Sequence, residues 1–489
     1  MTTEPDLLQR SQQLLGTPFD LVLDNGEHLQ VLEIVRRVPG RRIVCRGIWK
    51  SQLVYVKIFL GKQAERYATR DRRGVRLLRD AAIATPELLC ETGIEAQKKC
   101  RILVFAAIAA ENAEQAWLQL EVGARLQLAR RLVEAVAHHH QAGLVQTDLY
   151  LKNFLVTEQQ IYSLDGDGIR PQTFWRWWHQ PLDNLARLVS KFDVGSVGAW
   201  LPELLQVYAD ARGLNAVPAI KDMQQRIARH WQADMRQYAA KVQRSCTDVR
   251  TLKTPSAYLA INRAYDHPGL LAALEAPDAL LGKAGVARLK SGNTCTVASV
   301  QIDQRNLVIK RYNIKNFWHW FGRMWRPSRA VQAWANAYRL QLKHIATPVA
   351  VAVLERRCWG LRREAYLLTE YVEAHDAKMF FADQTVDVEV KQRVAMLIVQ
   401  LFYQLYCLQL EHGDFKASNL LIQGEQPILI DLDSMRQYGD VKRFQRRHVR
   451  DLRRFMRNWQ NNETVRYIFN KAFLTVYTDG KLLHQAGIK

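Results

Sequence analysis

One short pattern occurs twice in this chain at the same internal spacing, and it constrains the fold more than any other feature. Residues 142–170 read AGLVQTDLYLKNFLVTEQQIYSLDGDGIR, and residues 410–436 read LEHGDFKASNLLIQGEQPILIDLDSMR. In each, an Asp is followed five residues later by an Asn, Asp148 to Asn153 and Asp414 to Asn419. An apolar pair, a turn and a strand-like run follow, ending in Asp-x-Asp. The Asn stands 12 residues before the first Asp of that pair, Asp165 or Asp431. Upstream, LVYVKIF and NLVIKRY each present one lysine, Lys57 and Lys310, in an apolar run that reads as a strand. Each is followed by a basic helix closing on I-A-T-P, at Ile83–Pro86 and Ile345–Pro348. Downstream, DNLARL (Asp183–Leu188) answers RDLRRF (Arg450–Phe455). Five ordered correspondences predict a tandem duplication. The polar stretch VQRSCTDVRTLKTPS places the boundary between domain 1 (residues 1–245) and domain 2 (residues 246–489).

These residue types suit phosphoryl transfer from ATP, which needs positioning and charge neutralisation more than covalent chemistry. A strand lysine holds the α- and β-phosphates, a loop Asp orients the attacking hydroxyl, and an Asn with a strand-end Asp binds Mg²⁺. A lone buried lysine or a lone D-x-x-x-x-N is common and carries little weight. H-G-D-F-K-A-S-N followed at the right distance by I-D-L-D is far more specific to a kinase-like fold. The run VAMLIVQLFYQLYCLQL (Val394–Leu410) has 17 residues without a charge. It is short for a bilayer and broken by Gln400, Gln404 and Gln409, so it reads as the buried helix that feeds the second loop. His138, His139 and His140 point in different directions on a helix and read as packing or surface residues rather than metal ligands. The seven cysteines form no C-x-x-C pair, so neither a disulfide framework nor a zinc site is expected. The opening MTTEPDLLQRSQQLLG lacks the basic start and apolar core of a secretory signal, and the chain is expected to stay inside the cell.

From these motifs the chain is identified as resembling the lipopolysaccharide kinase (Kdo/WaaP) family. The resemblance is strongest in LVIKRYNIKNFWHWFGRMWRPSRAVQAWANAYRLQLKHIATP (residues 307–348), HGDFKASNLLI and LIDLDSMR. It implies an α+β fold of two tandem protein-kinase-like domains, each with a small β-rich N-lobe and a larger helical C-lobe. It implies ATP and Mg²⁺ as cofactors. The implied function is phosphorylation of a lipopolysaccharide inner-core sugar, with a heptose hydroxyl as the expected acceptor. By the same resemblance Asp414 is the catalytic base, Lys416 a phosphate partner, Lys310 the ATP-phosphate lysine, and Asn419 and Asp431 the metal ligands. In the first half Lys57, Asp148, Asn153 and Asp165 match those roles.

The departures are informative. Neither half has a G-x-G-x-x-G loop; VPGRRIVCRG (38–47) and LKSGNTCTV (289–297) stand in its place, so side chains are expected to hold the ATP phosphates. A protein kinase pairs its strand lysine with a helix Glu. The first half offers Asp71, with Glu65 as a second candidate, whereas residues 311–354 contain no acidic residue at all. The first half also replaces His412 and Lys416 by Gln146 and Tyr150. A pseudokinase scaffold in core assembly is therefore the competing reading. Lys and Arg number 69 against 48 Asp and Glu, a net charge of +21, which calls for an anionic partner. The expected partners are the lipopolysaccharide core oligosaccharide or its lipid-linked precursor, at an anionic membrane surface on the cytoplasmic face of the inner membrane. Two aromatic-basic segments, TFWRWWHQ (173–180) and FWHWFGRMWR (317–326), suit either that interface or packing of their Trp residues between lobes or under helices. No nucleic-acid-binding motif is visible, and nucleic acid is not an expected partner.

Overall fold

The two lysine-bearing runs alternate between core-facing and site-facing side chains, and that alternation sets the position of everything else. A computed structural model describes residues 18–38, 40–94, 97–173, 179–282, 288–291, 295–313, 328–358 and 361–489. Segment 317–326 and residues 174–178 of the other aromatic-basic segment lie outside the described residues. The chain divides into two compact units. Unit 1 comprises Met1–Phe192 with Ser196–Ile227, and unit 2 comprises Asp193–Gly195 with Ala228–Lys489. Helix and sheet are mixed in both, an α+β architecture.

Unit 1 opens with β1 (Phe19–Val22), β2 (His28–Val38), β3 (Arg42–Trp49) and β4 (Gln52–Leu60). Helix α1 (Ala64–Asp80) follows, then β5 (Leu88–Ile94) and β6 (Gln97–Ala106). They form an antiparallel sheet in the order β1-β2-β3-β4-β6-β5. Val54, Val56 and Ile58 of β4 enter the sheet core, which leaves Lys57 on the opposite face. After the sheet come β7 (Glu111–Asn112), α2 (Ala113–Gln119), α3 (Val122–Gln141), β8 (Leu144–Gln146), β9 (Phe154–Val156), β10 (Ile161–Ser163) and β11 (Ile169–Pro171). Helix α4 (His179–Val189) and, from Ser196 onward, α5 (Val194–Arg212) close unit 1, and α6 (Ile220–Lys241) begins in unit 1 and continues in unit 2 after Ile227.

Unit 2 repeats the order. Strands β12 (Val249–Lys253) and β13 (Ala257–Asn262) and helices α7 (Pro268–Glu275) and α8 (Pro277–Gly282) precede β14 (Arg288–Ser291), β15 (Cys295–Ile302) and β16 (Arg305–Tyr312). Helix α9 (Arg329–Gln341), β17 (Ala350–Cys358) and β18 (Leu361–Glu370) complete a sheet ordered β12-β13-β17-β18-β16-β15-β14. The four strands around the lysine therefore match: β3-β4-β6-β5 in unit 1, β15-β16-β18-β17 in unit 2. Leu307 and Ile309 of β16 face the core, and Lys310 faces away. The rest comprises β19 (His375–Asp376), α10 (Ala377–Ala382), α11 (Val388–Cys407), β20 (Leu410–Glu411), β21 (Leu420–Gln423), β22 (Gln426–Leu429) and β23 (Arg436–Gln437), then α12 (Val441–Met456), α13 (Glu463–Val476) and α14 (Gly480–Ala486). The small sheets also correspond, β7-β9-β10 with β19-β21-β22 and β8-β11 with β20-β23.

The uncharged run found in the sequence forms the C-terminal part of α11 up to Cys407 and ends at Leu410, the first residue of β20. Val394, Ala395, Ile398, Val399, Leu401, Phe402 and Leu405 are buried, so its apolarity serves an interior. Among the described residues no helix is long and apolar enough to cross a membrane. Phe402 stacks on Phe415 of the loop after β20 at a centroid separation of 3.9 Å and also meets Phe455 and Phe473. That aromatic cluster fixes the loop backbone against the helical body. Replacing Phe402 by Ala would remove the centre of the cluster and leave a cavity. We expect a loss of about 3–5 kcal/mol of stability, read as a lower denaturation midpoint of the full chain.

Candidate active site

Each unit gathers its conserved-spacing residues where the lysine face of the large sheet meets the loop and the Asp-x-Asp segment. In unit 1, Asp71 lies in the apolar stripe of α1 with Ala64, Ala68, Val75 and Leu78, so helical periodicity carries a carboxylate into the interior. Lys57 Nζ donates to both of its oxygens, at 2.9 and 2.7 Å, and to the Leu164 carbonyl at 3.2 Å. Glu65, the other acid on that helix, pairs instead with Arg101. Burial raises the Asp71 carboxyl above its ordinary value, against the pull of Lys57. Asp165 Oδ1 lies 3.7 Å from Lys57 and 3.8 Å from Arg42. Burial works to raise Asp165 too, but Lys57, Arg42 and Arg36 outweigh it and hold the carboxyl below its ordinary value. Arg42 also lies 3.8 Å from Asp71. It follows Gly40, whose φ of +66° makes the turn between β2 and β3. The turn that lacks a Gly-rich motif thus delivers a guanidinium instead of backbone amides.

Unit 2 solves the same problem with different residues. Aligned on I-A-T-P, the position of Asp71 is occupied by Ala333. Lys310 nevertheless has two carboxylate partners, Asp431 at 2.5 Å and Asp433 at 3.2 Å. Asp433, buried, also accepts from Arg329 of α9 at 2.8 Å. Its unit 1 counterpart, Asp167, is taken by Arg70 at 2.9 Å and Arg41 at 3.5 Å. The second Asp of the motif therefore supplies what the helix lacks, tying Lys310 to the start of α9. Burial works against ionisation of Asp431, but Lys310 holds it below its ordinary value.

The helix also meets the Asp-x-Asp turn differently in the two units. A Cβ on Gly74 would sit 1.8 Å from the Gly166 carbonyl oxygen, so α1 packs directly on the turn. Asn336, at the matching place on α9, donates to the Leu432 and Met435 carbonyls at 2.8 and 3.1 Å.

The loop residues come together as their spacing predicts. Asn153 Nδ2 donates to the Asp148 carbonyl at 2.8 Å, and Asn419 Nδ2 to the Asp414 carbonyl at 2.9 Å. A short 3₁₀ turn, Leu151–Asn153 or Ala417–Asn419, makes that closure. Spending the amide N–H on the loop leaves the Asn oxygen for a cation. Asp165 Oδ1 is buried without a hydrogen-bond partner among the described residues. An amide oxygen with a strand-end carboxylate is the hard-oxygen donor set that Mg²⁺ takes, usually completed by water and phosphate. These residues therefore fit that ion. Among the described residues no cluster of three or more His, Cys, Asp or Glu forms a metal cage. His139 bonds Ser163 and His140 bonds Tyr208 and Asn184, so the histidine run packs α3. Burial lowers these two imidazoles to about 4 and about 3.

The acceptor sides of the two loops differ. Asp414 pairs with Arg454 of α12, and Lys416 Nζ stands 3.6 Å from its other oxygen. In unit 1 Asp148 is exposed, and Tyr150, in the place of Lys416, lies under Lys152 and Lys191 at 5.3 and 5.0 Å. His412 is fully buried and braces its loop. Its Nδ1 accepts from the Asp414 amide at 3.3 Å, which puts the proton on Nε2, facing the Ile430 carbonyl at 3.0 Å. Gln146 stands in its place in unit 1, with its side-chain amide buried and unpartnered among the described residues.

One residue that sequence reasoning did not single out underpins the second loop. Asp451, in RDLRRF, is buried on α12 and accepts from the His412 amide at 2.8 Å and the Gly413 amide at 3.2 and 3.1 Å. The matching residue, Asn184, donates to the Gln146 carbonyl at 2.8 Å. The repeat of D-N-L and R-D-L was the available signal. Burial raises the Asp451 carboxyl to about 6, against the amide bonds and with Glu411 adding to the rise. A carboxyl raised on folding binds its proton more tightly in the native state, so its contribution to stability falls as pH rises from about 4 to about 6. The span corresponds to about 3 kcal/mol. Unfolding free energies of the wild type and Asp451→Asn, compared from pH 4 to pH 7, should converge or diverge by that amount, with the wild type gaining relative stability toward acid. A pH-independent difference would contradict the assignment.

With this geometry in place, the comparisons with known proteins are specific to one half. Residues 286–477 match the Lipopolysaccharide kinase (Kdo/WaaP) family, a kinase family. The match spans β14 to the segment after α13 and includes Lys310, Asp414, Lys416, Asn419 and Asp431. No curated protein matches the chain.

Proposed function

We propose that the chain is an ATP-dependent, Mg²⁺-requiring kinase that phosphorylates a sugar hydroxyl of the lipopolysaccharide inner core, a heptose being the expected acceptor. In this reading the chain is two protein-kinase-like domains, residues 1–245 and 246–489, and the second carries the fuller site. The observation that carries it is the convergence, inside the family-matched segment, of Lys310, Asp431 and the Asp414–Asn419 loop. Work at the cytoplasmic face of the inner membrane on an anionic glycolipid is consistent with the +21 charge.

Lys310 is held by Asp431 and Asp433 on the open face of the sheet, where it meets the α- and β-phosphates of ATP. Asn419 and Asp431 hold Mg²⁺, which when bound offsets the phosphate charge. Asp414 accepts the proton of the sugar hydroxyl as its oxygen forms a bond to the γ-phosphorus. The bond from that phosphorus to the β-phosphate oxygen breaks, and ADP carries away the electron pair. Before this, the acceptor must displace Arg454 from Asp414, so the resting site protects its base with a cation that is then free to meet phosphate. Lys416 steadies the transferring group. Lys57, Asp71, Asp148, Asn153 and Asp165 form the corresponding set in unit 1.

The test measures phosphate transfer from ATP to core oligosaccharide, and the phosphate content of core oligosaccharide from cells carrying each variant. Asp414→Asn should lower the transfer rate by about 10²–10⁴-fold, the usual effect of losing a general base. Asp148→Asn, measured in parallel, reports whether unit 1 contributes turnover. Unchanged core phosphate in the double variant, at normal protein levels, would sink the kinase reading and favour a scaffold in core assembly.

A further inference from the structure

Unit 2 contains a cavity of about 420 Å³ beside its catalytic loop. Four guanidiniums line it, Arg329 from the first turn of α9, Arg436 from β23, and Arg447 and Arg450 from α12. Gly413, the residue before Asp414, forms part of the wall. Two carboxylates lie at its base, Glu411 and Asp433, and both are already engaged. Glu411 is buried and accepts from Arg450 at 2.8 Å and from the Tyr438 hydroxyl. Asp433 accepts from Arg329 and Lys310.

Each guanidinium offers five N–H donors, so donors far exceed the oxygens that face them. Arg447 comes no closer than 4.0 Å to Glu411, and Arg436 is exposed opposite Glu411 in the β20–β23 ladder. Four positive charges against two negative ones leave this wall electropositive. Arginine forks match the geometry of phosphate oxygens. A recess of this size admits a phosphorylated sugar rather than a bare ion alone.

The cavity is connected to the reacting groups by α12. Arg447, Arg450 and Arg454 lie three and four residues apart and so share a helix face. Arg454 pairs with Asp414 while the other two enter the cavity. A group bound there is therefore held at a fixed distance along one rigid helix from the proposed base. The matching positions of unit 1 differ: Tyr67, Val145, Gln180 and Asp183 stand where unit 2 has Arg329, Glu411, Arg447 and Arg450, and only Arg170 matches Arg436.

We infer that this cavity is a binding subsite for a phosphate monoester, and that in the reaction it holds a phosphate already present on the acceptor. The second clause rests on the kinase reading; the first does not. The full-length protein is titrated with inorganic phosphate by calorimetry, with a non-hydrolysable ATP analogue filling the nucleotide site. Arg436→Gln/Arg447→Gln is the informative variant, because it leaves the buried carboxylates of Glu411 and Asp433 paired with Arg450 and Arg329. We expect saturable binding to the wild type, weakened at least about tenfold in the double variant, as loss of two charge-assisted contacts requires. Arg436→Lys/Arg447→Lys, which keeps the charge, should restore most of it. No saturable binding to the wild type, or equal binding to the Gln double variant, would overturn the subsite.

The phosphate source is resolved by transfer assays on core oligosaccharide before and after phosphatase treatment. A raised KM for the treated acceptor, with little further effect of the Gln double variant on it, identifies the acceptor's own phosphate. Stimulation of both acceptors by added inorganic phosphate identifies a free ion and overturns the second clause. Normal phosphate binding without any transfer would count against the kinase reading and leave the subsite standing.

Discussion

A lysine amine on the face of the sheet away from the core, yet largely removed from water, has to be neutralised, and both units are organised around that requirement. Taking an unpaired ammonium out of water costs several kcal/mol, and pairing with good geometry offsets the cost. Lys57 meets it with Asp71, brought in by the periodicity of α1. Lys310 meets it with Asp431 and Asp433 from a segment more than 100 residues away in sequence. In either case the strand, the helix and the Asp-x-Asp turn become mutually fixed, because each contributes or contacts a member of the same charge cluster. The lysine thus holds its own surroundings in register.

The second loop depends on a different kind of support. Its backbone amides are gathered by one buried carboxylate, Asp451, while its Phe415 is locked into the aromatic body of the unit. Helix α12 therefore has two faces with separate tasks. Phe444, His448, Asp451, Leu452 and Phe455 are buried and position the loop. On its outer side Arg447 and Arg450 line the adjoining cavity and Arg454 pairs with Asp414. A run that looks in sequence like undifferentiated positive charge is divided by the helical period into these two roles. In the comparable run of α1, Arg70 pairs with Asp167 and Arg72 with Glu91.

What could be read from sequence was whatever depends on local spacing. The lysine strands, the Asn that reaches back five residues to the loop Asp, and the charge-free helix all follow from periodicity or short-range geometry. So does the place of Asp71 on its helix. Spacing gave no access to partners supplied from elsewhere in the chain. The absence of acids between residues 311 and 354 suggested a lysine without a counterion, yet the counterions come from Asp431 and Asp433. The same limit hid Asp451, whose carboxylate acts on amides 38 and 39 residues earlier, and the cavity, whose arginines come from three separate elements.

The backbone at the first Asp of each pair carries a last distinction. Asp431 adopts left-handed geometry, with φ 63° and ψ 53°, whereas Asp165 is extended at φ −113° and ψ 93°. Asp and Asn tolerate the left-handed region better than other residues with a Cβ, which lose about 1–2 kcal/mol there. Position 431 is therefore constrained twice, by the chemistry of its carboxylate and by the shape of the chain, while position 165 is constrained only by the first. At position 165 the backbone admits many side chains and only the charge cluster with Lys57 and Arg42 asks for an acid, whereas position 431 also asks for a residue at ease in the left-handed region, Asp, Asn or Gly and few others.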